Sequence, residues 1–361
     1  MAFKRIEKIT YPSITEWIKK ISMPNSELFI NEDETKYDRL KVLKEIIKLP
    51  YLPPIEMRAE DILNKTKYFK RIFNKKRNNL CTLRLLPLLA GLSKIRKRGG
   101  SLAENIKWYL KQNINHRDYK IEIVPRNNQV LWSAIFVVDY HGIIGEINNS
   151  GITSMVKGDH RQAPIIFSYN FKNWKLSKIN PRVEKILKSA IKKICVKSYQ
   201  KRNILKNKLN AEFTIGNFIR GYFEFTIWPK TGIRFIDYNR FQNNIQKERD
   251  IWGKNYDNKI AGVCVSTGKT TGCVRIIKDP AKDKFEKNDI LVCKNIDISF
   301  LPIILSSSGI ITEKGAMLSH AAIICRELKK PYIALVKNAT KKIKNGQKIT
   351  LDANLGQIIL D

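Results

Sequence analysis

The feature that most restricts the fold lies in the last hundred residues. There short apolar runs alternate with glycine-bearing turns: GVCVSTGKTTGCVRII from Gly262, DILVCKN from Asp289, GIITEKGA from Gly309 and PYIALV from Pro331. Runs of this length, rich in Val and Ile and bounded by Gly, Asn and Ser, read as strands. Between two of them, from about Ser319 to Leu328, the apolar residues repeat at helical spacing. Strands alternating with a helix over so short a stretch predict a compact α/β unit with its own core.

The 361 residues leave room for two or three domains. Residues 242–258 (QNNIQKERDIWGKNYDN) are polar and aperiodic, and read as a linker into the C-terminal unit. Upstream, Val130–Val138, Gly142–Ile147 and Ile165–Phe171 have strand character, and a basic helical stretch follows over about 181–210. Tyr222–Trp228 and Ile233–Asn239 flank Pro229-Lys-Thr-Gly232, the best hairpin signal in the chain. Residues 51–125 are expected to be mainly helical, with Ser101 and Glu104 forming a capping box. Residues 1–50 read as one or two amphipathic helices of unknown role.

Sixty-seven Lys and Arg against 33 Asp and Glu give a formal charge of +34, which attracts anions without choosing among nucleic acid, membrane and phosphorylated small molecules. The excess is spread along the chain as Lys mixed with Ile and Asn. No stretch approaches the roughly 20 apolar residues of a spanning helix. The six cysteines show neither CxxC nor Cys/His metal spacing. A soluble, cytoplasmic protein with reduced thiols is expected.

Of four histidines, His320 stands out, because the strand Gly309–Thr312 runs through a glycine-containing loop to a helix whose expected N-cap is Ser319. An imidazole in the first turn faces free backbone N–H groups and the positive helix end. That setting favours the neutral, nucleophilic ring and offers donors to a phosphoryl group. The same position also suits a histidine that only caps or packs.

If Pro229–Gly232 is a four-residue loop, paired residue numbers sum to 461, so Trp228 faces Ile233, Thr226 faces Phe235 and Glu224 faces Asp237. Two carboxylates directly opposite require a compensating cation. Magnesium with nucleotide phosphates meets that need, and so does a neighbouring Lys or Arg.

The wording GIITEKGAMLSHAAIICRELKKPYIALV, with Asp289-Ile-Leu-Val before it and Asn345-Gly-Gln-Lys-Ile-Thr-Leu-Asp-Ala-Asn-Leu-Gly after it, resembles the phosphohistidine swivelling (mobile) domain of the PEP-utilising enzymes over about 260–361. The resemblance implies that His320 carries a phosphoryl group. It departs from the family at Gly315-Ala316 (usually Gly-Gly), Leu318 (usually Thr) and Lys329-Lys330-Pro331 (usually Gly-Ile-Pro). In these enzymes an ATP-grasp nucleotide-binding domain commonly precedes the mobile domain. Residues 51–241 read as a divergent one, because Gly142-Ile-Ile-Gly-Glu146 with Lys157-Gly-Asp is similar to its GE…G stretch.

Together these readings imply an α/β and α+β chain, with an ATP-grasp-like region at 51–241 followed after the linker by the phosphohistidine domain at 259–361. They imply an ATP-dependent phosphotransferase using Mg2+, with His320 as the phosphoryl carrier and Glu224, Asp237 and Asn239 as metal ligands. Arg84, Glu146 and Arg240 are the expected nucleotide contacts. Its partners would be a nucleotide and a phosphoryl acceptor, with no membrane. No segment resembles a PEP-binding barrel. Two other readings stand beside this one: a phosphocarrier or regulator that kept the fold without full turnover, and a basic nucleic-acid-binding protein.

Overall fold

A computed structural model describes residues 14–21, 26–89, 92–158, 162–240 and 260–360. The chain divides into two compact units, one formed by residues 52–129 and the other by 13–51 together with 130–361. The expected 242–258 linker lies outside the described residues, as does Asp159 of the Lys157-Gly-Asp stretch.

Helices α1 (Ile14–Ile21), α2 (Ser26–Glu34) and α3 (Lys36–Ile47) belong to the larger unit rather than to a separate segment. Trp17 and Ile18 of α1 enter an apolar cluster with Ile324 and Tyr332, whereas Leu40 and Leu43 of α3 enter one with Phe223 and Phe235.

The smaller unit contains β1 (Ile55–Met57), α4 (Ala59–Leu63), α5 (Lys67–Lys76), β2 (Cys81–Pro87), β3 (Ile95–Lys97), α6 (Leu102–Leu110) and β4 (Tyr119–Pro125). Its strands form an antiparallel sheet in the order β1-β4-β2-β3, which corrects the expectation of a mainly helical region. The leucine-rich β2 favours helix by propensity. However, Leu83 and Leu85 point into the core while Arg84 between them pairs with Glu122 across the ladder, and that alternation of period two decides the outcome. The Ser101/Glu104 capping box is present, with Ser101 Oγ accepting from Glu104 N at 3.2 Å and Glu104 Oε2 accepting from Ser101 N at 2.7 Å.

In the larger unit β5 (Trp132–Asp139), β6 (Gly142–Asn148), α7 (Ile152–Lys157), β7 (Ile165–Tyr169), β8 (Trp174–Leu176), α8 (Pro181–Lys192), α9 (Tyr199–Leu209), β9 (Gly221–Trp228) and β10 (Gly232–Asn239) follow. The strands form a six-stranded antiparallel sheet, β10-β9-β5-β6-β7-β8. One face is dry and aromatic: Phe136, Phe223, Phe225 and Phe235 pack with Leu187 and Ala190 of α8 and Leu205 of α9. Helix α8 begins where Asn180 accepts from Val183 N at 3.1 Å and Pro181 opens the first turn.

The hairpin register differs from the expected one at its tip and agrees at its base. Ile233 pairs with Ile227 and Phe235 with Phe225, one residue off the expected sum; a bulge between Phe235 and Asp237 then brings Asp237 opposite Glu224. The bulge also explains why Phe235 and Tyr238, three apart in sequence, both reach the aromatic face.

The C-terminal part contains β11 (Ile260–Ala261), β12 (Val263–Ser266), β13 (Lys269–Ile276), β14 (Ile290–Cys293), α10 (Leu301–Ser306), β15 (Gly309–Thr312), α11 (His320–Glu327), β16 (Tyr332–Ala334), α12 (Ala339–Lys342), β17 (Lys348–Asp352) and β18 (Gln357–Leu360). Its eight strands run β11-β18-β17-β13-β14-β15-β16-β12, with β13 to β16 parallel and β14 and β15 fully buried. Among the described residues no helix is long and apolar enough to cross a membrane.

Candidate active site

The loop from β15 to α11 carries His320. Ser319 is the N-cap, its Oγ accepting from Ala322 N at 3.3 Å, so His320 occupies the first helical position, half-buried and open to solvent. The loop is fixed within its own sheet by Arg326, which donates to the carbonyls of Met317 and Val265 at 2.8 Å each. Thr312 Oγ1 and Tyr332 Oη share a hydrogen bond of 2.9 Å at its start. Arg326 could not have been singled out from spacing, since nothing in the sequence marks its carbonyl partners.

Residues 316–318 of this loop lie on the second face of the six-stranded sheet. Met317 and Leu318 are about 1% exposed and pack in one cluster with Ile135, Val137, Ile144, Met155, Ile166 and Tyr222. On the same face the ladder places Asp237, Glu224, Ile135 and Glu146 in a single row across β10, β9, β5 and β6. Glu146 and Glu224, two strands apart, stand about 10 Å from each other by strand spacing.

Glu146, expected as a nucleotide contact, has both oxygens committed elsewhere. Oε1 accepts from Met317 N at 2.7 Å and Oε2 from Leu318 N at 3.3 Å, and the residue is fully buried. Burial pushes its carboxyl up to about 7, against the two amides and Arg326, which favour the charged form.

At the other end of the row Glu224 and Asp237 face each other as expected, and the compensating cation is Lys36 of α3. Its Nζ lies 2.9 Å from Asp237 Oδ2 and 2.8 Å from Asp33 Oδ1. Burial, then Asp237 opposite, pushes Glu224 up to about 7, and Asp237 is raised in the same direction by burial. Tyr222 donates to Glu224 Oε1. Asn239, expected as a third ligand, is buried opposite Tyr222, two residues beyond the acids along the strands.

Arg240 does not project into this cluster. Glu32 of α2 accepts from Arg240 Nε at 2.9 Å and from its backbone N at 2.7 Å, and another guanidinium nitrogen reaches the Leu209 carbonyl at 2.6 Å. Arg84 lies in the smaller unit, paired with Glu122 at 3.1 Å.

Among the described residues no group of three or more His, Cys, Asp or Glu side chains is arranged to hold a metal ion. Two half-buried carboxylates with raised affinity for protons are nonetheless a donor pair of the kind magnesium uses, its remaining positions being filled by water and phosphate oxygens.

Residues 285–356, which include His320, match the PEP-utilising enzyme mobile domain. An uncharacterised phosphotransferase, YvkC, of Bacillus subtilis is 39% identical over 106 residues, covering 29% of this chain and 13% of that protein. A rifampicin phosphotransferase of Streptomyces sviceus is 37% identical over 102 residues (28% and 12%), and a phosphoenolpyruvate synthase of Aeropyrum pernix 38% over 102 residues (27% and 12%). The matches thus span about an eighth of these relatives' length. Among solved structures, D-alanyl-alanine synthetase A of Vibrio cholerae aligns with 59% of this chain and 57% of its own at 7% identity, with a TM-score of 0.30.

Proposed function

We propose that the protein is a phosphotransferase that passes a phosphoryl group from ATP through His320 to an acceptor. The observation that carries this reading is the position of His320: the first residue of α11, open to solvent, in a loop seated on the same sheet face as the carboxylate row. A ring nitrogen attacks phosphorus in line as the bond to the nucleotide's bridging oxygen breaks, and that oxygen keeps the electron pair. In the second half, an acceptor oxygen attacks the same phosphorus and the P–N bond breaks, returning a neutral imidazole. The backbone N–H groups and the positive end of α11 favour the anionic oxygens in both halves.

Glu224 and Asp237 would hold magnesium, which neutralises charge on the nucleotide phosphates when bound. Lys36, the half-buried cation beside them, holds this end of the row in register and lends positive charge to an arriving phosphate.

A second reading, a phosphocarrier or regulator with little turnover, is favoured by Leu318. It stands where the family pattern has Thr, and its side chain is buried against the sheet.

Incubation with Mg-ATP should give acid-labile, alkali-stable phosphate on His320, lost in His320→Ala. No label, or equal label on that variant, defeats the phosphotransferase. Label that persists against a panel of metabolite acceptors favours the carrier.

A further inference from the structure

We propose that Glu146 is a positioning residue that docks the His320 loop onto the six-stranded sheet, so that moving His320 away from that face requires breaking its bonds to Met317 and Leu318. The partners come from different sheets and lie 171 and 172 residues apart in sequence, so the contact exists only while the two are together. A carboxylate withdrawn from water needs hydrogen-bond donors, and its direct donors here are those two amides. Undocking returns Glu146 to water, where the charge is solvated, which makes the contact reversible.

The surrounding surfaces are shaped for this seat. Gly158, at the end of α7, has φ +66°, and a Cβ there would lie 2.8 Å from Gly315 Cα. That close approach lets the loop backbone settle against α7. Met317 and Leu318 then fill the apolar ground on either side of the carboxylate. Leu318, the departure from the family pattern, acts here as an apolar anchor in place of a hydroxyl.

The consequence for turnover rests on the phosphotransferase reading of His320, whereas the docking itself does not. The test is hydrogen exchange read by mass spectrometry on the whole chain, comparing the parent with Glu146→Gln, which keeps the shape and turns one of the two accepting oxygens into a donor facing an amide, and Glu146→Asp, which keeps both oxygens and withdraws them from the amides. Peptides over 313–325 should exchange at least tenfold faster in Glu146→Gln and by a smaller factor in Glu146→Asp. Peptides from β5 and β9 should be unchanged, which a purely structural role would not allow. Exchange within twofold of the parent in folded variants overturns the proposal. So does acceleration spread evenly through the sheet, or failure of both variants to fold. His320 labelling is measured on the same samples: absence of label in the parent removes the phosphotransferase while the exchange result still decides the docking.

Discussion

The two faces of the six-stranded sheet are drawn from the same strands in alternation, yet they are built for different ends. The aromatic face is closed by apolar side chains of α3, α8 and α9. The opposite face carries half-buried Asp237 and Glu224 and fully buried Glu146, and receives a loop from another sheet. Burial of a carboxylate works against stability unless it is paired, so Glu146 on the second face depends on contacts that a motion could break. The dry face supplies rigidity, and the acidic face supplies something to let go of.

That contrast can be broken from either side. Phe223→Ala on the dry face opens a cavity beneath Phe136 and Tyr238 and should cost about 3–5 kcal/mol, read as a lowered urea midpoint, while phosphate uptake per folded molecule is retained. If labelling is lost while the fold remains, the faces are not separable. Leu318→Thr on the acidic face should cost less, about 1–3 kcal/mol, and should speed exchange over 313–325 with little change at β9.

The third effect is one of pH. Glu146 is raised from 4.5 to about 7 in the folded chain, so its contribution is full below pH 4.5 and is lost as pH rises through 7. Arg326 faces it from α11, Tyr222 from β9 and Tyr332 from β16, and none of these discharges in that window. Between pH 5 and 7 the parent should therefore lose up to about 1.4 kcal/mol per pH unit more than Glu146→Gln. Parallel stability curves would show that Glu146 does not titrate there.

Much of the C-terminal part is legible in the sequence because its strands are contiguous and its turns carry glycine: Gly309–Thr312 and the helix after Ser319 lie where the apolar pattern places them. The facing of Glu224 and Asp237 is legible from hairpin geometry, although the route to it is not, since no spacing rule announces a bulge. What escapes depends on distance along the chain. Lys36 meets Asp237 across 201 residues, and Glu146 meets Met317 across 171; neither partner carries a local signature of the other. The small unit reads as helical because leucine favours helix until a sheet offers its alternate positions a dry side.

The extra residue near 236 fixes which side of a wall an acid stands on. Had the ladder continued evenly past Phe235, Ile236 would face Glu224, and Asp237 would fall opposite Phe223 among the aromatics. A one-residue offset in the backbone thus sorts charge from grease for the remainder of that strand, and repairing it would turn the strand's end inside out.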